Sequence, residues 1–340
     1  MNQDNPQKKQ TTNNDQSARF PGYPPIDLSG LKLYSVNNRQ HLAEIDSLGK
    51  TPSEKISFTD WLDSLPDFLA AKRLRSVVDA IVASRKADKP VAFAMGGHVV
   101  KVGCGPIVID LMKRGLVNAV ACNGSMAIHD MELAMNGATS EDVGDTIRDG
   151  RFGMVRETAD FFAQAADDAA EQEIGYGHAI GRAILKADLP YADKSILASA
   201  AELGVPATVH VAMGTDTIHM PPAADGAKIG QATLTDFRVI SNVVYHMGAD
   251  RENGVCGTWC NVGSAVIMPE IFLKAVSVAR NLGADLDNLT SVNCDQLRHY
   301  RPLQNVVGRP VAKGRGFDLA GPHEILLPML RQAVIERYPR

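Results

Sequence analysis

His98, His129 and His219 each follow a short apolar run that closes in Gly, Asn, Ser, Thr or Asp. Imidazole moves protons near neutral pH, so these three are the candidates for acid–base chemistry. His129 leads them because Asp130 follows it, and a neighbouring carboxylate favours imidazolium. Adjacent residues on a helix diverge by about 100°, so the sequence does not require the two to touch. His210, His246 and His299 read as structural. Lys101 follows the first of the runs and suits a phosphate or a carboxylate, while Asp130 and Glu132 suit an amine. Arg298, Arg301 and Arg309 cluster near the last run, where they would clamp an anionic substrate or reach a neighbouring subunit. Histidine pairs at metal-binding helical spacing are absent, and no metal is expected. Cys256 and Cys260 lie in a strand-like stretch that would hold them roughly 13 Å apart, so they read as small buried hydrophobes.

These side chains need a scaffold, and the chain repeats one pattern that supplies it. Val91-Ala-Phe-Ala-Met-Gly-Gly-His98 leads into a helix opening at Pro106. Val117-Asn-Ala-Val-Ala-Cys-Asn-Gly-Ser125 leads into a helix through Met126, and Val205 to Asp216 is a third run. Val255 to Ser264 leads into a helix from Pro269 to about Leu282, and Leu289 to Asp295 is the last. Strand alternating with helix predicts a doubly wound, mostly parallel α/β sheet covered on both faces. Thr146 to Leu203 reads as a helical insertion, and Phe58 to Ala87 as a helix broken near Pro66. Met1 to Ile26 is polar and aperiodic, a disordered arm before one large domain over 27–340.

Ligands of such sheets bind outside the strand carboxyl ends. Gly96, Gly97, Gly124 and Gly263 would let backbone approach a pyrophosphate. Asn123, Ser125, Ser264 and Asn293 would supply neutral hydrogen bonds, and Asp216 and Asp295 would accept from ribose hydroxyls. Gly103 and Gly105 do not extend to the common dinucleotide fingerprint. The formal net charge is −4, with no basic stripe or polybasic run, so neither nucleic acid nor an anionic membrane is an expected partner. With no apolar leader at the N-terminus, the expected setting is the cytoplasm.

Several motifs resemble the deoxyhypusine synthase superfamily, across roughly Lys89 to Val334. They are Glu202-Leu-Gly-Val-Pro-Ala with Gly214-Thr-Asp216, Leu234-Thr-Asp-Phe-Arg-Val-Ile-Ser241, and Cys256-Gly-Thr-Trp-Cys-Asn-Val-Gly-Ser264. Gly96-Gly-His-Val-Val-Lys-Val-Gly103 and Asn123-Gly-Ser-Met-Ala-Ile-His-Asp-Met-Glu132 are similar to the NAD-binding C-terminal domain of ornithine cyclodeaminase-type arginine-degrading proteins. Both resemblances imply bound NAD, and the first implies a homotetramer. The imine-forming lysine of deoxyhypusine synthases has Arg309 in its place, and arginine cannot serve as that nucleophile. Lys313 is the nearest substitute. The expectation is an NAD-dependent enzyme acting on a small amine or amino acid by transient oxidation to an imine. The alternatives are aminobutyl transfer of the deoxyhypusine or homospermidine synthase type, or an NAD-binding subunit without turnover.

Overall fold

Short runs of alternating large and small apolar residues build the sheet. In β1 (Val91–Met95), Val91, Phe93 and Met95 face one way while Ala92 and Ala94 face the other. The computed structural model describes residues 22–249 and 254–338. The chain divides after Asp46 into two units. In the first, the described residues 22–46 are exposed, with a short 3-10 turn at Val36–Asn38 and another, Ile45–Ser47, at the division. The expected arm from Met1 lies largely outside the described residues.

The second unit opens with α1 (Phe58–Ser64) and α2 (Leu69–Lys86), separated at Pro66 as expected. After β1 come α3 (His98–Lys101) and α4 (Gly105–Lys113), then β2 (Ala119–Asn123) and α5 (Gly124–Asn136). Just ahead of the expected insertion lies α6 (Val143–Thr146), and the insertion itself contains α7 (Arg156–Glu171), α8 (Tyr176–Lys186) and α9 (Ile196–Leu203). Next follow β3 (Ala207–His210), α10 (Gly226–His246), β4 (Thr258–Val262), α11 (Ile267–Asn281) and β5 (Thr290–Asp295). The chain closes with α12 (Tyr300–Pro302), a π-turn at Leu303–Gly308, β6 (Gly316–Ala320) and α13 (His323–Arg337).

All strand pairs are parallel, in the order β3-β2-β1-β4-β5-β6. The sheet grows outward from β1 to β3, then α10 carries the chain back to pair β4 with the other side of β1. Crossovers keep one hand, so reversing the direction of growth moves the connecting helices to the opposite face. Accordingly α2, α4, α5, α8, α9 and α13 share one core with Phe93, Val120, Cys260 and Val292. Helices α10 and α11 share the other with Ala92, Ala94, Ala119, Ala121 and Trp259. The alanines leave room for Trp259, which stacks on Phe272 at 4.4 Å and 14°. This is a doubly wound α/β fold, with its topological switch between β1 and β4.

Candidate functional site

The switch is tight. Gly96 donates its N–H to the Val262 carbonyl at 3.0 Å, and a Cβ there would lie 2.1 Å from the Gly263 oxygen. Gly263, at φ +64°, in turn donates to the Cys294 carbonyl at 2.9 Å. Backbone from β1, β4 and β5 therefore meets at one point of the carboxyl edge with no side chain between. Gly97 packs on the first turns of α5, its missing Cβ lying 2.6 Å from Ser125 Oγ and 3.0 Å from His129 Cδ2. That contact joins the switch to a cavity of about 510 Å³ over the ends of β2 and β3.

Lys101, Ser125, His129, Glu132, Thr139 and Asp216 line the cavity. One relay orders them. The Thr139 hydroxyl donates to Glu132 Oε2 at 2.7 Å, so it accepts from His129 Nδ1 at 2.8 Å. Thr158 donates to the other Glu132 oxygen at 3.1 Å. His129 therefore carries its proton on Nδ1 and has its lone pair on Nε2. Burial, with Lys101 adding to it, pushes the imidazole down to about 4. Asp216 lies over the start of α5, where the missing Cβ of Gly124 would be 2.1 Å from Asp216 Oδ2. That oxygen is buried without a hydrogen-bond partner, and burial pushes the carboxyl up to about 6. Beside it, His219 accepts from the Gly214 N–H at 3.2 Å, and its Nε2 is buried without a partner.

Other residues proposed from sequence are committed elsewhere. Asp130 points away from His129 and caps α9: it accepts from Ser195 Oγ at 2.6 Å, Ile196 N at 2.8 Å and Leu197 N at 3.0 Å. Asp130→Ala would leave these buried donors unpaired and is expected to cost about 2–4 kcal/mol of stability. Denaturant unfolding checks this. An unchanged midpoint would return Asp130 to the list of site candidates. Asn123 caps α5 through Met126 N, and Ser264 Oγ accepts from Met268 N at the start of α11. Asn293 is buried in a ladder between Asn261 and Asp318. Arg301 pairs with Glu270, and Arg309 bonds Asn305 and the Tyr300 hydroxyl, so none of these lines the cavity. Lys313 is exposed just before β6, at the sheet edge opposite the strand carboxyl ends.

Sequence reasoning missed Thr139, Thr158, Gln296 and His323. His323 opens α13, is 1% exposed, and meets His98 nitrogen to nitrogen at 2.9 Å. Only the return of the last helix against α4 and β5 joins these two residues, which lie 225 positions apart. Asp236, in a motif that carries the family resemblance, ties the insertion to β3 through Gly177 N and Val209 N. Among the described residues, no group of three or more His, Cys, Asp or Glu is placed to hold a metal, and no helix is long and apolar enough to cross a membrane.

Sheet order and edge together define a doubly wound α/β protein whose glycine-lined switch adjoins a cavity holding Lys101, His129, Glu132 and Asp216. No protein-family profile matches the chain, and no curated protein matches it by sequence. Solved structures similar to it include apo ArgZ, an arginine dihydrolase of cyanobacteria, at 11% identity and TM-score 0.48 over 80% of this chain. AgrE in complex with ornithine and NAD+ is similar at 12% identity and TM-score 0.48 over 77% of this chain. A protein of Entamoeba histolytica assigned as a deoxyhypusine synthase is similar at 11% identity and TM-score 0.47, over 84% of this chain and 95% of that one. The chain spans 34% of the length of ArgZ and 33% of AgrE. Likeness at this level concerns the course of the chain and says nothing of activity.

Proposed function

We propose that the chain binds NAD across the carboxyl edge of the sheet and acts on a small amine or amino acid by transient oxidation to an imine. The observation that carries this reading is Asp216 Oδ2, buried without a partner in a residue that lines a cavity joined to the glycine switch. An unpaired buried carboxylate oxygen costs free energy until a donor reaches it. Ribose hydroxyls and substrate ammonium groups are such donors. A cavity of about 510 Å³ is the size of a small-molecule site.

The residues present suit a dinucleotide. In this sheet order each half, β1–β3 and β4–β6, offers strand ends to one nucleotide. Gly96 and Gly97 let the end of β1 close on β4 and on α5 where a pyrophosphate would cross, and Gly263 lies against the His323 ring. Asp216 would accept from a ribose, with Gly124 and Ser125 at the start of α5 beside it. Lys101 supplies a positive charge at the cavity wall. Bound NAD supplies a hydride acceptor for a carbon that bears nitrogen. Glu132 and His129 Nε2 then offer acceptors to whichever group fills the cavity. His129 does not deprotonate an alkylammonium: about 4 against an amine near 10 leaves the transfer about 8 kcal/mol uphill. Its part is to accept a hydrogen bond.

Aminobutyl transfer through a lysine imine loses its nucleophile, since Lys313 stands at the wrong edge. One observation favours a second reading of the cavity alone. Lys101 shares the lining with Glu132, Glu141 and Asp216, a set of charges that also suits an amino-acid zwitterion. The expected homotetramer belongs to the proposal and is measured by light scattering. Anaerobic incubation with NAD and a panel of diamines and basic amino acids tests the activity. Substrate-dependent growth of reduced-nicotinamide absorbance is the expected result. Tight NAD binding with no reduction by any of them would leave a binding subunit without turnover.

A further inference from the structure

With both rings neutral, the contact of His323 with a carbonyl fixes the proton arrangement of the His98–His323 pair. His323 Nε2 lies 3.0 Å from the Cys294 carbonyl oxygen, which can only accept, so that nitrogen carries the proton. Neutral His323 then has its lone pair on Nδ1. His98 Nδ1, at 2.9 Å, must donate to it. The lone pair of His98 is left on Nε2, and the Gln296 amide nitrogen donates there at 2.8 Å, nearer than its 3.3 Å distance to Nδ1. The rings sit 5.1 Å apart at 56°. His323 also packs on Gly263, with Cε1 3.0 Å from the missing Cβ, so the pair abuts the switch on the side of β4 and β5.

We propose that His98 is the proton-handling group of this site and that His323 is its positioning residue. His323 holds His98 in the Nδ1–H form, with Nε2 presented over the β4–β6 half of the edge. The role rests on the NAD reading and adds to it that the reacting half of the dinucleotide lies across the switch from the cavity. The step balances simply. A substrate bound as the free amine becomes an iminium once hydride has left its carbon for NAD, and His98 Nε2 takes the iminium N–H proton, leaving the neutral imine. The resulting imidazolium keeps its Nδ1–H bond to His323, and the exposed Gln296 amide turns its oxygen to accept the new N–H. The charge is faced by Lys101 from α3, by Asp295 at the end of β5, and by His323 and Glu324 from α13. Burial, then His323, hold His98 below the ordinary imidazole range, while Glu324 and Asp295 oppose them.

Imidazole 15N NMR on selectively labelled full-length protein tests this, with His98→Gln assigning the resonance. Wild type should show His98 as the Nδ1–H form at alkaline pH. His323→Ala should convert it to the Nε2–H form common in free histidine, and His323→Gln, whose amide oxygen can accept, should restore it. Gln296→Ala, a surface change that spares the fold, should raise the His98 pKa by roughly half a unit to one unit through loss of the bond to the neutral form. Wild-type His98 in the Nε2–H form overturns the proposal, as does an Nδ1–H form that survives His323→Ala. If His323→Ala does not fold, an unmoved pKa in Gln296→Ala does the same. NAD is then added. Binding seen by calorimetry that leaves the His98 resonance in place contradicts the assignment to the reacting half. Absence of binding instead sinks the cofactor reading and leaves the tautomer result standing.

Discussion

Replacing Gly96 by alanine is expected to destabilise the protein by about 3 kcal/mol or more and to abolish binding at the switch. The new methyl would lie 2.1 Å from the Gly263 oxygen and 2.9 Å from its carbonyl carbon. Both are backbone atoms, fixed by the Val262-to-Gly96 and Cys294-to-Gly263 hydrogen bonds. No rotamer change relieves the clash, so β1 and β4 must part where their ends meet. Gly230, inside α10 with nothing within 4 Å of its missing Cβ, is the control. Gly230→Ala should stabilise by up to about 1 kcal/mol, from helix propensity alone. Denaturant unfolding of the two variants separates these outcomes. Wild-type stability in Gly96→Ala would mean that the strand ends are not held as described.

The second large effect runs in opposite directions for stability and binding. Asp216→Asn is expected to raise stability at about pH 8 by about 1–2 kcal/mol while weakening NAD binding roughly tenfold to a hundredfold. Burial lifts the Asp216 carboxyl from 3.8 to about 6, so the folded state favours the protonated acid. This penalty on folding is absent at low pH, grows as pH rises from the unfolded value, and is complete above about 6. The gain from asparagine should therefore appear near pH 8 and fade near pH 4. A ligand donor needs the ionised form, so wild-type affinity should fall about tenfold from pH 8 to pH 5. In Asp216→Asn that pH dependence should vanish. Equal loss of stability and binding would show that Asp216 serves the fold instead.

Much of this was legible in the chain. Runs such as Val-Ala-Phe-Ala-Met announce buried parallel strands, and the Gly, Asn and Ser residues after them mark the carboxyl edge. Gly96, Ser125, His129 and Asp216 follow from that edge alone. Strand β6 did not announce itself: Gly-Phe-Asp-Leu-Ala is short, and its central Asp318 is there to close a ladder with Asn293. Asp130 beside His129 invited a catalytic pairing. Successive helical positions point apart, however, and the carboxylate is spent on the amides of α9. Asn123 and Ser264 carried the polar signature of a binding loop because helix caps use the same residue types. His323 carried no local signal. Its meaning comes from a tertiary contact with His98, which the strand order creates and no spacing rule contains.

The central claim is that this edge is an NAD site. Isothermal titration calorimetry of NAD into the full-length protein at neutral pH tests it most directly. Binding at one NAD per chain, weakened in Asp216→Asn and lost in Gly96→Ala, is the predicted result. No heat and no shift in melting temperature on adding NAD to well-folded wild-type protein would contradict it.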